Sequence, residues 1–364
     1  MPHIRMIPSG WHARCALTGI LTAVAVLCGM LPAGARDGLF WITLPSMPTA
    51  RSQLASAAAP CPRGQTGSCL YAVGGTTGGS TLATAESYNR RTNAWSTLPP
   101  LPAPRSALAA AAAPCPDGLG GTCVYALGGS GVSGAVTFYN PAVNAWGTAT
   151  PLKTARRSFA AASAPCPAGQ GGMCVYAVGG VGSSGALATV ESFNPVTRSW
   201  STVASLRAAR YSLGAAAAPC PAGQTGICVY AVGGFDGNKH ATGTVESYNP
   251  ATRAWSQVAS LPVPRGALGV AASSCPPGQQ GTCVYAVGGA TDTALLADAE
   301  SFNPASNAWT TLPSQPGPRS NTGAAALPCP AGVTGNCVYV VGGVTNAGEV
   351  ARLEALDPPS ATRR

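Results

Sequence analysis

The side chains able to do chemistry in this 364-residue chain recur as a set. Arg51, Arg105, Arg156, Arg210, Arg265 and Arg319 are each followed ten residues later by a cysteine, and eight residues after that by another. A guanidinium is a planar fork of donors that either receives an anionic ligand or braces carbonyls and carboxylates of its own fold. The cysteine pairs are Cys61/Cys69, Cys115/Cys123, Cys166/Cys174, Cys220/Cys228, Cys275/Cys283 and Cys329/Cys337. Seven residues lie inside each pair, whereas structural zinc sites favour about two to four and often recruit histidine. His240 is the sole histidine beyond residue 12, so no metal or other cofactor is expected. Six copies of one spacing predict disulfides that serve architecture rather than redox catalysis.

A second group of reactive side chains lies where the repeat varies. Five residues after each second cysteine comes Gly-Gly, beginning at Gly74, Gly128, Gly179, Gly233, Gly288 and Gly342. A glutamate follows at Glu86, Glu191, Glu246, Glu300 and Glu354, with Thr137 in its place in the second unit. The interval from Gly-Gly to that position is twelve residues in most units, nine in the second and thirteen in the fourth. Loops on a rigid frame commonly carry function. The fourth unit's loop holds Phe235, Asp236 and His240, and the fifth holds Asp292, so these join the six arginines as candidate binding residues.

These groups need a frame, and the 51–55-residue period implies an array of supersecondary units. In the second unit Ser106 to Ala113 reads as strand a, Val124 to Leu127 as b, Val136 to Tyr139 as c, and the segment around Trp146 as d. Pro and Gly punctuate every unit and oppose helices, so the array is all-β, an antiparallel meander. In such a meander the a–b loop with its disulfide and the c–d Asn-Pro turn share one face. The arginines and the b–c loops share the other.

The motifs VYAVGG, VESYNP, AWSQV and LPVPR, with their counterparts in the other units, resemble the kelch repeat. The resemblance spans roughly residues 38 to 358 and implies a six-bladed β-propeller, four antiparallel strands per blade. The last unit stops after Leu353 to Pro358 without a Trp strand, and Phe40 to Leu44 supplies one at the other end. The strand around Trp41 is therefore expected to complete the last blade. Alanine-rich strands a suit the crowded axis. Apart from Trp11 in the N-terminal segment, the six tryptophans Trp41, Trp95, Trp146, Trp200, Trp255 and Trp309 fall one per blade, as packing anchors between blades. By this resemblance the six arginines ring the mouth of the central channel, where arginines of some kelch domains help to bind acidic peptides.

The N-terminus reads as a secretory signal over residues 1–35. Arg5 and Arg14 precede an apolar run from Ala16 to Leu31, and Ala33-Gly34-Ala35 suits cleavage. An uncleaved anchor is the competing expectation, and no other segment is long and apolar enough to insert stably in a membrane. The location expected is secreted or otherwise extracytoplasmic. The net charge of +9 is spread without a Lys/Arg run, so nucleic-acid binding is not expected. A monomeric, non-catalytic scaffold for a protein, peptide or glycan bearing anionic groups is the functional expectation. The alternative is a carbohydrate-active enzyme of the sialic-acid mutarotase type, which needs an acid/base pair that no spacing marks. Copper oxidases of the galactose-oxidase type, also kelch-like, need two histidines and a Cys-crosslinked Tyr, whereas beyond the signal-like segment His240 is the sole histidine and every cysteine is paired.

Overall fold

Proline at the end of five of the six alanine-rich runs blocks helix continuation, and all six runs fold as strands. In the computed structural model, which describes residues 39–116, 118–131, 134–330 and 335–357, every blade strand is antiparallel to its neighbours. The signal-like segment 1–35 lies outside the described residues.

The first blade is built from strands Ala55–Pro60, Ser68–Val73, Ala85–Asn89 and Ala94–Thr97, in the order a-b-c-d. The second uses Ala109–Pro114, Thr122–Leu127, Val136–Asn140 and Ala145–Ala149. Four further sheets repeat the plan, giving the all-β, six-bladed propeller expected from the repeat. Strand a of the second blade begins three residues later than the sequence suggests. Ala107, just before it, has a φ of +51° and turns the chain out of the sheet.

Closure follows the expected route. Phe40–Leu44 pairs antiparallel with Leu353–Asp357, Trp41 opposite Leu356, as the outer strand of the sixth blade. Each strand a packs on the strands a of both neighbouring blades. That crowding selects small residues. A Cβ on Gly214 would lie 2.1 Å from Cγ2 of Val270 in the next blade's strand a. Burial alternates along strand a, while strands b and c are buried almost throughout between blades.

Larger residues lie outward and join the blades. Each Trp donates its indole N–H to a carbonyl of the preceding blade's outer edge: Trp41 to Pro313, Trp95 to Pro45, Trp146 to Pro99, Trp200 to Thr150, Trp255 to Ala204 and Trp309 to Ala259. Aromatic rings continue the seam, with Tyr125 5.8 Å from Phe193 and Phe193 5.2 Å from Trp200, centroid to centroid.

All six expected cysteine pairs are disulfides across the a–b turn: Cys61–Cys69, Cys115–Cys123, Cys166–Cys174, Cys220–Cys228, Cys275–Cys283 and Cys329–Cys337, with Cα atoms 4.8 Å apart in each. Their place in a loop suggests groups on the face of the ring, and here the structure differs. The second cysteine of each pair lies inside strand b, and Cys69, Cys123, Cys174, Cys228, Cys283 and Cys337 are all wholly buried. The first cysteines are at most 9% exposed. Strand b is covered by the neighbouring blades, so the sulfurs join the apolar seam between blades and lie out of a ligand's reach. The strand-b tyrosine beside each pair donates its hydroxyl to the carbonyl ending strand a, as Tyr125 does to Pro114 at 2.8 Å. These disulfides fit an extracytoplasmic location. No helix among the described residues is long and apolar enough to cross a membrane.

Candidate functional site

The six arginines do not line the channel. Each is at most 1% exposed. Five are ion-paired to the strand-c glutamate of their own blade: Arg51–Glu86 at 2.8 Å, Arg156–Glu191 at 2.6 Å, Arg210–Glu246 at 2.5 Å, Arg319–Glu354 at 2.5 Å, and Arg265–Glu300. Further N–H groups reach strand-b carbonyls, as Arg51 reaches Ala72 at 3.0 Å. The arginine's own carbonyl accepts from the second Gly of the preceding blade, for instance Gly75 N–H to Arg105 at 2.9 Å. That Gly has φ +107°, and a Cβ there would meet the Ser52 carbonyl at 2.7 Å, so the Gly-Gly pair permits the contact. The arginine thus ties strands a, b and c of one blade to the edge of the one before. The channel-mouth role expected for it gives way because these guanidinium groups are buried inside their own blades, five of them paired to a glutamate.

The glutamates are equally committed. Glu191 accepts backbone N–H groups from Lys153 at 2.9 Å and Thr154 at 3.0 Å as well as the Arg156 guanidinium. Burial lowers the basicity of Arg51, Arg156 and Arg210, and the paired glutamate pulls it back up. Among the described residues, Arg105 reaches Thr137, through the hydroxyl, and the Ala126 and Ala135 carbonyls, both at 3.3 Å. With no carboxylate to oppose it, desolvation pushes Arg105 down to about 10.

The channel mouth belongs instead to the residues two places after each arginine. Gln53, Ala107, Ser158, Ser212, Ala267 and Asn321 all have φ between +49° and +55°. Each donates its backbone N–H to the carbonyl of its counterpart in the preceding blade, from Ala107 to Gln53 at 2.9 Å round to Gln53 to Asn321 at 3.0 Å. Six hydrogen bonds close into a ring around the axis. Their side chains line a cavity of about 200 Å³ at the mouth. Sequence reasoning missed this ring because left-handed backbone at Gln, Ala and Ser has no residue signature; only Asn321 is a type that favours it.

The loop candidates gather on the same face, and two are brought together. Phe235 is half-buried, stacks on Tyr211 at 5.7 Å and covers Gly266 of the fifth blade. Asp236 caps its own turn by accepting from the Asn238 and His240 N–H groups. His240 Nδ1 lies 3.0 Å from Asp292 Oδ2, and the Ala241 N–H donates to Asp292 Oδ1 at 2.6 Å. Asp292 raises His240 above its ordinary 6.5, first by that hydrogen bond and then by its charge. The Ala241 amide, followed by the His240 hydrogen bond, holds Asp292 below its ordinary 3.8. Among the described residues, the one cluster with metal-ligand types is Cys329, Cys337 and Asp357, and its two sulfurs are bonded to each other.

The Kelch motif family model matches residues 64–102, 162–207, 216–262 and 271–316, each ending or beginning within this blade plan. The chain belongs to the kelch-repeat propellers. Kelch-like protein 25 of Xenopus tropicalis is 27% identical over 273 residues, covering 71% of this chain and 40% of that protein. Kelch-like protein terF of Aspergillus terreus is 25% identical over 260 residues, covering 66% of this chain and 51% of its own length. The kelch propeller described here thus spans about two fifths to one half of those relatives. The solved structure of YjhT matches with a TM-score of 0.61 at 16% identity, over 85% of this chain and 95% of that one, which shows a common fold. Within this kelch propeller the repeated arginines, strand-c glutamates and cysteines are buried in ion pairs, hydrogen bonds and disulfides of the fold.

Proposed function

We propose that this protein is an extracytoplasmic, monomeric, non-catalytic binding module whose ligand sits on the face carrying the b–c loops. The observation behind this reading is the confinement of variation. The intervals from Trp to Arg, Arg to Cys, Cys to Cys, Cys to Gly-Gly and Glu to Trp are constant, and only the b–c loop changes length. Three blades fold that loop as a two-residue hairpin, at Thr76–Thr77 with Ser80–Thr81, Val181–Gly182 with Gly185–Ala186, and Val344–Thr345 with Gly348–Glu349. The fourth and fifth blades use single bridges, Phe235 with Ala241 and Ala290 with Leu295. A rigid ring carrying unlike loops is the arrangement by which a scaffold acquires specificity. Charge varies as well: Asp236 and Lys239 belong to the loop of blade four, Asp292 and Asp298 to that of blade five and Glu349 to that of blade six, whereas the segment leading into blade three carries Lys153 and Arg157.

The test is hydrogen exchange on the disulfide-intact protein against panels of acidic and neutral glycans and peptides. Protection confined to b–c loops supports the reading. Saturable protection confined to the disulfide edge refutes it. The mutarotase alternative has the His240–Asp292 pair as its available acid/base couple, although both side chains are largely in solvent, at 71% and 46% exposure. Acceleration of sugar anomerisation, followed by NMR and lost in His240→Ala, would favour the enzyme over the scaffold.

A further inference from the structure

The third blade carries a cavity of about 430 Å³ on the b–c face, within the roughly 300–1,000 Å³ typical of small-molecule sites. Its walls come from one blade. The segment leading into Arg156 supplies Lys153, Thr154 and Arg157, and the hairpin beyond Gly180 supplies Val181, Ser183, Ser184 and Leu187. Backbone hydrogen bonds between Arg157 and Val181, at 3.0 and 2.8 Å, hold the two walls together.

The repeat supplies five internal controls. At the position of Lys153 the other blades have Pro48, Pro102, Arg207, Pro262 and Pro316. At the position of Arg157 they have Ser52, Ser106, Tyr211, Gly266 and Ser320. Blade three alone has a cation at both. Neither position serves the fold through its side chain: Lys153 and Arg157 are exposed, and among the described residues no hydrogen bond or ion pair engages their charged ends. Glu191, whose carboxylate accepts the Lys153 backbone N–H at 2.9 Å, is buried and engaged by Arg156 and two backbone amides. The other acid between Leu101 and Leu206 is Asp117, inside the Cys115–Cys123 interval. Two uncompensated cations therefore face a cavity with no competing acid in its walls.

We propose that this cavity binds an acidic saccharide through its carboxylate, with Lys153 and Arg157 as the anion clamp. Arg157 offers a planar donor fork and Lys153 a compact charge, the combination that suits a carboxylate held from two sides. The hydroxyls of Thr154, Ser183 and Ser184 are donors and acceptors for sugar hydroxyls. Val181 and Leu187, half-buried, give an apolar strip for the C–H face of the ring. The walls are confined to one blade, which suits one or two sugar units rather than an extended peptide crossing blades. Two cations without a basic stripe also fall short of a nucleic-acid track. This inference rests on the b–c face being the ligand face and names the ligand class for one part of it.

The experiment is calorimetric titration of the disulfide-intact protein with digalacturonate, alongside neutral galactobiose, acetate and a Glu-containing tripeptide. Digalacturonate is expected to bind, weakening as salt rises, with galactobiose at least tenfold weaker. The double substitution Lys153→Ala with Arg157→Ala is expected to lose tenfold or more in affinity with an unchanged melting temperature. Digalacturonate binding that survives the double substitution, with exchange protection at other b–c loops, overturns this site but leaves the ligand face standing. Protection confined to the disulfide edge overturns both. Acetate or the tripeptide binding as tightly as digalacturonate overturns the saccharide assignment, and absence of any uronate binding overturns the proposal outright.

Discussion

Arg105 and Arg156 occupy equivalent positions with opposite electrostatic circumstances, and replacing each by leucine should separate the cost of a buried charge from the value of a buried pair. Arg156 neutralises Glu191, and both side chains have 0% exposure. Removing the arginine leaves a buried carboxylate whose remaining partners are two backbone amides, a loss of about 3–5 kcal/mol. Arg105 faces a threonine hydroxyl and two carbonyls, and its Nε has no partner among the described residues. Its fall from 12.5 to about 10 corresponds to about 3 kcal/mol against the charged form. Arg105→Leu relieves that cost while giving up three hydrogen bonds worth roughly 1 kcal/mol each, so it should come out within about 1 kcal/mol of neutral. Thr137→Glu should restore the pair and stabilise by roughly 1–3 kcal/mol. The assay is thermal unfolding with disulfides intact, where each kcal/mol moves Tm by roughly 2 °C in a domain of this size. Arg156→Leu is then expected to lower Tm by roughly 6–10 °C, with Arg105→Leu nearly silent. Equal losses in both leucine variants, together with a destabilising Thr137→Glu, would refute the electrostatic account and leave packing of the arginine stem as the cause.

Three further outcomes can be checked. Ala267→Gly should stabilise by roughly 0.5–1 kcal/mol, because Ala267 has φ +55° and glycine adopts that region freely; a melting shift in the opposite direction would count against strain in the mouth ring. Trp200→Ala should cost about 3–4 kcal/mol and Trp95→Ala less, since Trp200 is 5% exposed and Trp95 only half-buried; this is read from denaturant unfolding of the two variants side by side. The His240–Asp292 link should hold fully between pH 3.8 and 6.5. His240 is raised, so the link is lost as pH climbs through the raised value; Asp292 is lowered, so it is lost again as pH falls through the lowered one. An NMR titration of the His240 ring, with Asp292→Asn as the control that returns it toward 6.5, gives the readout.

The blade count, the disulfides and the closing strand were all legible in the residues, because each depends on local spacing repeated six times. Gly-Gly, the Cys–Cys interval and Pro after alanine fix where strands stop, and a Trp missing at one end with a spare at the other fixes how the ring shuts. The depth of the disulfides was not legible, since Cys69 or Cys174 is sealed by a neighbouring blade rather than by its own loop. Nor was the placement of the arginines. Their spacing puts them at the head of strand a, but whether a guanidinium points to the channel or into its own blade depends on the partner across the sheet, and Glu191 lies 35 residues away from Arg156. The six-membered backbone ring was hidden for the same reason, since a hydrogen bond between Gln53 and Asn321 joins opposite ends of the chain. The anion-facing pair in blade three stood in the sequence as two ordinary basic residues four apart. The repeat register shows that the same stations elsewhere are mostly prolines and serines, but only the folded ring shows that Glu191 is already spent and that the two cations line one cavity. Local periodicity writes the architecture into the sequence, while the choice between a bonded and a free charge is made by what the closed ring brings alongside it.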